Sequence, residues 1–237
     1  MELAELNVKL YADGARVSDI IEVKSKFPIS GFTTNPSLMR KAGATNYTEH
    51  CKSLLDIVDG KPISFEVLSD EIDEMYLQAT KIAEWGDNVF CKIPVSNTKG
   101  ESSAGIVKKL TENGVKVNVT AIFTIDQVQS FISAISDGVP CNLSIFAGRI
   151  ADTGRSATSL IQQAVTMAAS NKNIEIIWAS PRELYNVIEA DQAGCHIITA
   201  TGDILKKLSF LGYDLNQFSL DTVQMFLDDS QNAGYSI

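Results

Sequence analysis

Short apolar runs rich in β-branched residues recur along the chain, at positions 6–12, 30–34, 63–67, 88–93, 116–122, 141–146, 175–179 and 195–200. Each is bounded by turn-forming residues and reads as a strand. Between them apolar residues repeat at helical spacing, over 15–27, 69–85, 104–113, 125–136, 153–171 and 182–193. Ser69 or Asp70 is placed to cap the second of these, and Gly114 to stop the third. After the second strand, Asn35-Pro36 opens another helix, since proline suits a first helical turn.

Strands alternating with helices imply parallel βαβ units joined by right-handed crossovers. Eight such units without a dinucleotide fingerprint favour an α/β chain closed as a (β/α)8 TIM barrel over an open doubly wound sheet. The length of 237 residues agrees with the ~250 typical of that barrel. Residues 203–208 can supply its last helix. Residues 219–233 then form an extra C-terminal amphipathic helix, with Val223, Phe226 and Leu227 on one side. No linker, repeat or low-complexity tract interrupts the pattern. Residues 1–237 therefore read as one domain, with 215–237 a C-terminal helix and tail in a subunit contact.

Composition narrows the partners. Hydrophobic residues make up 45% of the chain and the net charge is −9. That charge argues against nucleic acid or an anionic membrane as the main partner, and leaves open a small anionic substrate held by local cations. Cys51, Cys91, Cys141 and Cys195 are too scattered for a disulfide framework or a zinc site. The first residues carry no basic, apolar leader, and no stretch of ~18 apolar residues exists, so a cytoplasmic protein is expected.

Lys92 stands inside the apolar run Val89-Phe90-Cys91-Lys92-Ile93-Pro94. A buried lysine must be desolvated or paired, and desolvation favours the neutral amine that Schiff-base chemistry requires. Its structural alternative is a stem that packs while the ammonium snorkels to the strand end. The other strand ends decide between them. There stand Asp13, Thr33-Thr34-Asn35, Glu66, Asn118 with Thr120, Arg149 beyond Phe146, Ser180 with Arg182, and Thr199 or Thr201. In barrels of this type chemistry occurs at that rim. Glu66 can move protons on and off a carbinolamine through a water, Asp13 can take a sugar hydroxyl proton, and Arg149 with Arg182 can hold an anion. Alone, Asp13 reads equally as a turn residue, Arg149 and Arg182 as partners of Asp152 and Glu183, and Asn35 as a helix cap. His50 on a helix surface and His196 in an apolar strand form no ligand cluster, so no metal is implied, and Gly31, Gly43 and Gly60 belong to no phosphate-loop pattern, so no nucleotide cofactor is implied.

The segment Gly31-Phe32-Thr33-Thr34-Asn35-Pro36-Ser37-Leu38 resembles the transaldolase signature, and Lys92-Ile93-Pro94-Val95 resembles that family's Schiff-base segment. Asn118-Val119-Thr120-Ala121-Ile122-Phe123, Phe146-Ala147-Gly148-Arg149-Ile150 and Ala179-Ser180-Pro181-Arg182 follow in the family's order. The chain is similar to the short transaldolase and fructose-6-phosphate aldolase branch. The resemblance implies a barrel, metal-independent transfer of dihydroxyacetone between sugars as in the pentose phosphate pathway, and a homo-oligomer, pentamer or decamer, joined through the C-terminal helix. It implies Lys92 as the covalent residue, Asp13 and Glu66 as acid/base groups and Thr120 beside the catalytic water. Thr33, Asn35, Asn118, Phe146 and Ser180 would contact substrate, and Arg149 and Arg182 its phosphate. Aldolases of this branch resemble one another in carrying glutamine at position 66 and tyrosine at 146, so Glu66 and Phe146 point to a transferase. Two departures, a longer segment at 96–103 and Pro181 in place of phenylalanine, flank the substrate mouth. They leave the acceptor open, and the anion open between phosphate and another group such as sulfonate. Alternative readings are a lyase releasing free dihydroxyacetone and a non-catalytic barrel that binds a sugar phosphate. Lys92, Asp13 and Glu66 together argue against the last, since binding alone needs no nucleophile.

Overall fold

The computed structural model describes residues 3–237. Eight parallel strands close into a barrel in sequence order: β1 (Lys9–Asp13), β2 (Gly31–Thr33), β3 (Ile63–Glu66), β4 (Val89–Pro94), β5 (Val117–Ile122), β6 (Cys141–Ile145), β7 (Ile174–Trp178) and β8 (Ile197–Ala200). Around it lie α1 (Val17–Lys26), α2 (Pro36–Lys41), α3 (Tyr47–Leu55), α4 (Ile72–Ala83), α5 (Ala104–Glu112), α6 (Ile125–Ala134), α7 (Ala147–Ala151), α8 (Thr158–Ala168), α9 (Tyr185–Gln192) and α10 (Gly202–Lys206). The (β/α)8 barrel expected from the alternating pattern is therefore present.

Alternation within each strand divides the molecule. Outward residues such as Leu10, Phe32, Ile63, Phe65, Cys91, Ile93, Val117, Val119, Leu143 and Ile176 join the inner faces of the helices in one continuous core. Inward residues are largely polar. In register around the barrel stand Glu66, Lys92, Asn118, Asn142 and Glu175. A small inner cluster of Tyr11, Ile177, Ala179 and Ile197, with Phe146 against it, fills the remainder. Tyr11 packs so closely on Gly31 that a Cβ there would lie 2.4 Å from its ring. Stability thus resides in the outer layer, at roughly 25 cal/mol per Å² of apolar surface removed from water.

Several boundaries differ from the sequence reading, each for a local reason. β1 begins at Lys9 because the Asn7 and Val8 N–H groups donate to the Asp191 carboxylate at 2.7 and 2.9 Å. The segment after β2 holds two helices, and Asn35 and Asn46 cap them by accepting from Leu38 and Glu49 N–H. α4 is capped by neither Ser69 nor Asp70: it starts after Glu71, and Asp70 accepts instead from the Thr98 N–H and hydroxyl at 2.8 and 2.6 Å. That contact pins the 96–103 segment. The helix expected over 153–171 is shorter, α8 from Thr158 to Ala168, because Gly154 holds a left-handed φ of +79° that no helix accommodates; the short α7 before it, Ala147–Ala151, was not foreseen.

The last helix, α11 (Leu215–Asn232), begins earlier than expected because Asp214 accepts from Gln217 N–H at 2.9 Å. None of its residues is buried. Val223 and Phe226 are each 63% exposed, and Leu215, Phe218, Leu220, Met225 and Leu227 are exposed too. Its own barrel does not cover this helix. Among the described residues no helix is long and apolar enough to cross a membrane.

Candidate active site

Register brings the strand ends together. Glu66 pairs with Lys92, Lys92 with Asn118, Pro94 with Thr120 and Asp13 with Thr33. Lys92, 6% exposed, points into the barrel. Its Nζ donates to the Thr34 carbonyl at 2.8 Å and lies 3.2 Å from Glu66 Oε2. The burial that the sequence implies is there, and so are two partners for the amine's proton, which meets the cost of desolvating a cation. Across the mouth, Thr33 donates to Asp13 Oδ1 at 2.8 Å and sits 2.6 Å from the Thr199 hydroxyl. With the Thr33 proton directed at Asp13, Thr199 donates to Thr33. Burial pushes the Asp13 carboxyl above the ordinary carboxylate range; Lys92 and the Thr33 hydrogen bond pull it back, and Glu66 adds to the rise.

A cavity of about 90 Å³ is lined by Asp13, Thr33, Asn35, Lys92, Thr120, Ser144, Phe146, Arg149, Ser180 and Thr199. The Thr120 hydroxyl is buried there without a hydrogen-bond partner. It follows Val119 at a register shift, and the next residue, Ala121, takes a left-handed φ of +61°. Such a conformation costs roughly 1–3 kcal/mol in a non-glycine residue. Ser180, also at the site, does the same at φ +62°. Its turn is possible because Gly148 has no Cβ, which would meet the Ser180 carbonyl at 1.6 Å. A larger open groove of about 460 Å³ adjoins at Asp13, between Arg16, Lys41, Thr201 and Asp203, and takes no other side chain of the site.

The two arginines are held differently. The Arg149 guanidinium lies 5.3 Å from the Phe146 ring centre, and Phe146 in turn packs against Phe123. Arg182 grips both carboxylate oxygens of Asp152, with Nε to Oδ1 at 2.9 Å, and donates through Nη1 to the Ser180 carbonyl and hydroxyl at 3.0 and 2.9 Å. The pairings weighed from sequence, Arg149 with Asp152 and Arg182 with Glu183, are corrected by this geometry: Arg182 reaches thirty residues back because β7 follows β6 around the barrel. The hydrogen bonds from Arg182 hold Asp152 below the ordinary carboxylate range.

Of the residues singled out from sequence, nine line the cavity: Asp13, Thr33, Asn35, Lys92, Thr120, Phe146, Arg149, Ser180 and Thr199. Glu66 touches Lys92 from beside the cavity. Asn118 lies beneath its floor, donating to Ser64 Oγ at 2.9 Å and accepting from Ser144 Oγ at 2.7 Å. Arg182 stands outside it on Asp152. Ser144 escaped the sequence reading. Its signal was the alternation Asn142-Leu143-Ser144, which turns two polar residues inward on β6 as Asn118 and Thr120 turn on β5. His50 bonds the Ala15 carbonyl and His196 accepts from Ile176 N–H, both away from the site. Among the described residues no three His, Cys, Asp or Glu side chains stand close enough to share an ion.

Residues 10–237 match the family described as transaldolase/fructose-6-phosphate aldolase. A "Probable transaldolase" of Thermoanaerobacter sp. is 34% identical over 232 residues, covering 97% of this chain and all of that one. A "Probable transaldolase 2" of Listeria monocytogenes is 36% identical over 203 residues, 85% of this chain and 88% of that one. Among solved structures, a cube-shaped porous protein cage designed by fusing symmetric oligomeric domains is similar with a TM-score of 0.55 at 12% identity, over 97% of this chain and 80% of that one. That last likeness concerns the fold alone.

Proposed function

The chain belongs to the transaldolase/fructose-6-phosphate aldolase family, and from that premise we propose that it is a class I transaldolase. It transfers a dihydroxyacetone unit from a ketose phosphate to an aldose through a Schiff base on Lys92. The observation that carries the reading is a buried amine facing a polar cavity, 3.2 Å from the Glu66 carboxylate.

Glu66 takes the ammonium proton, and the free amine of Lys92 attacks the donor's ketone carbon. Protonated Glu66 returns that proton, through a water beside Thr120, to the carbinolamine oxygen, which leaves as water and gives an iminium ion. Asp13 removes the proton of the hydroxyl two carbons from the former ketone. That oxygen becomes an aldehyde, the adjoining C–C bond breaks, and its electron pair passes into the iminium to form an enamine. An acceptor aldehyde then takes up the enamine carbon and the Asp13 proton, and water hydrolyses the new iminium. Burial that raises the proton affinity of Asp13 suits a group that must both take and return a proton.

Arg149 and Arg182, with Ser180, hold the anionic end of the sugar; Asp152 takes the Arg182 fork, which leaves Nη1, beside the Ser180 hydroxyl, as the donor it turns to the phosphate. Phe146 offers no hydroxyl to activate water or free dihydroxyacetone, which favours transfer over release. We further propose a ring-shaped homo-oligomer, a reading supported by the uncovered apolar residues of α11. The central test is borohydride reduction in the presence of fructose 6-phosphate, followed by mass spectrometry. A dihydroxyacetone-sized adduct on Lys92, absent from Lys92→Ala, is expected. Labelling of Lys99 or Lys116, or labelling that survives the substitution, overturns the reading.

A further inference from the structure

β2 ends too early for its neighbour. Pairing of β2 with β3 stops at Thr33 and Ser64, with one more bond from Thr34 N–H to the Ser64 carbonyl at 3.2 Å. On its other side β3 continues, with Glu66 opposite Lys92 and Val67 N–H donating to the Lys92 carbonyl at 3.0 Å. The Glu66 N–H and carbonyl therefore face a gap, because β2 has already turned into Asn35 and α2. Tyr47, the first residue of α3, fills it. Its hydroxyl donates to the Glu66 carbonyl at 2.7 Å and accepts from the Glu66 N–H at 2.9 Å. One phenol thus replaces both ladder bonds of a missing strand residue, at the residue whose carboxylate meets Lys92.

We propose that Tyr47 is a positioning residue for Glu66, fixing the end of β3 and with it the carboxylate 3.2 Å from the Lys92 amine. This rests on the assignment of Glu66 to proton transfer. The helix does not need the phenol for its own sake: Asn46 caps α3, and Cys51 and Leu54 bury its inner face. Desolvation raises the Tyr47 phenol well above its ordinary value, so the hydroxyl keeps its proton and its donor role at every working pH. Without the hydroxyl, the strand end loses both bonds, and a carboxylate on a loose backbone holds its distance to the amine poorly. Misplacement of about 1 Å can cost on the order of 100-fold in rate.

The test is Tyr47→Phe, alone and combined with Glu66→Gln, with the rate of borohydride-trappable adduct formation from fructose 6-phosphate followed across pH. Tyr47→Phe is expected to slow trapping roughly 10- to 100-fold and change its pH profile while leaving donor KM unmoved. In the Glu66→Gln background it should cost nothing further, since residues acting as one unit are not additive. Asn46→Ala, which weakens the start of α3 but keeps the phenol, should trap at the wild-type rate. Additive losses, or full-rate trapping by Tyr47→Phe, overturn the proposal. Full-rate trapping by Glu66→Gln would instead overturn the role of Glu66. Should Tyr47→Phe not fold, 3-fluorotyrosine at 47 keeps ring and hydroxyl but accepts more weakly from Glu66 N–H. A changed pH profile is then expected, and an unchanged one overturns the proposal.

Discussion

Asp13→Asn should stabilise the protein at neutral and alkaline pH while removing most of its activity. In the unfolded chain an aspartate ionises near pH ~3.9. In the fold, burial raises that value against the pull of Lys92 and Thr33. Between the two values the folded state binds more protons than the unfolded one, so stability falls as pH rises through the window and stays lower above it. Below the unfolded value the carboxyl is neutral in both states and imposes nothing. Asparagine keeps the shape and can still accept from Thr33, which donates at 2.8 Å to Asp13 Oδ1. It also removes a charge that attracts Lys92, but Glu66 at 3.2 Å and the Thr34 carbonyl at 2.8 Å still hold that ammonium. The lost attraction is therefore the smaller effect. Each tenfold displacement of the Asp13 proton equilibrium corresponds to about 1.36 kcal/mol, or roughly 3–5 °C in Tm for a chain of this size. Thermal unfolding of both proteins from pH 3 to pH 8 should show a gap in favour of the variant that opens as pH rises above the unfolded value of about 3.9. Turnover should fall by about 10²–10⁴, the usual cost of losing a general acid or base. A variant less stable than wild type at pH 8, or a gap that ignores pH, would refute the argument and make Asp13 a favourable partner of Lys92.

Arg149→Ala and Arg182→Ala should each raise KM for phosphorylated substrates roughly 10- to 100-fold, from about 1.5–3 kcal/mol per charge-assisted contact, with little effect on unphosphorylated ones; equal losses with both would leave the arginines a structural role. Deletion from Asp221 onward should dissociate the oligomer in light scattering, because it removes the apolar residues Val223, Met225, Phe226 and Leu227 from α11, whereas a full-length monomer at micromolar concentration rejects the ring. Phe146→Tyr should speed cleavage of fructose 6-phosphate without acceptor, whereas wild-type turnover equal with and without erythrose 4-phosphate would make the protein a lyase.

The fold was legible because each strand is apolar on its outer face and each helix carries one apolar side, which is a local property. What escaped was set by single residues in the backbone. Gly154 delays the start of α8 to Thr158, and Asp214 starts α11 at Leu215, ahead of the expected 219. The rim was legible for the same local reason: a polar residue at the end of an apolar run marks the mouth of a parallel barrel. Tyr47 and Asp152 gave no such sign. Tyr47 acts on the backbone of Glu66 nineteen residues away, and Asp152 meets Arg182 across thirty. Neither spacing follows any helical or strand period, so only closure of the barrel creates those contacts.

The inner lining explains where the cost of such a site falls. The Thr120 hydroxyl and the Asn142 amide are buried without partners, each at a cost of about 1–3 kcal/mol. Ala121 and Ser180 hold left-handed backbone, at a similar cost each. Three of these four lie at the ends of β5 and β7, around the cavity that Lys92 faces. The apolar core surrounds the barrel rather than filling it, and Phe32, Phe65, Phe131 and Leu143 are fully buried in that outer layer. Substitutions inside the barrel can therefore relieve strain or charge without opening the core. The interior should be the region where stability gained is activity lost, and the outer layer the region where both fall together.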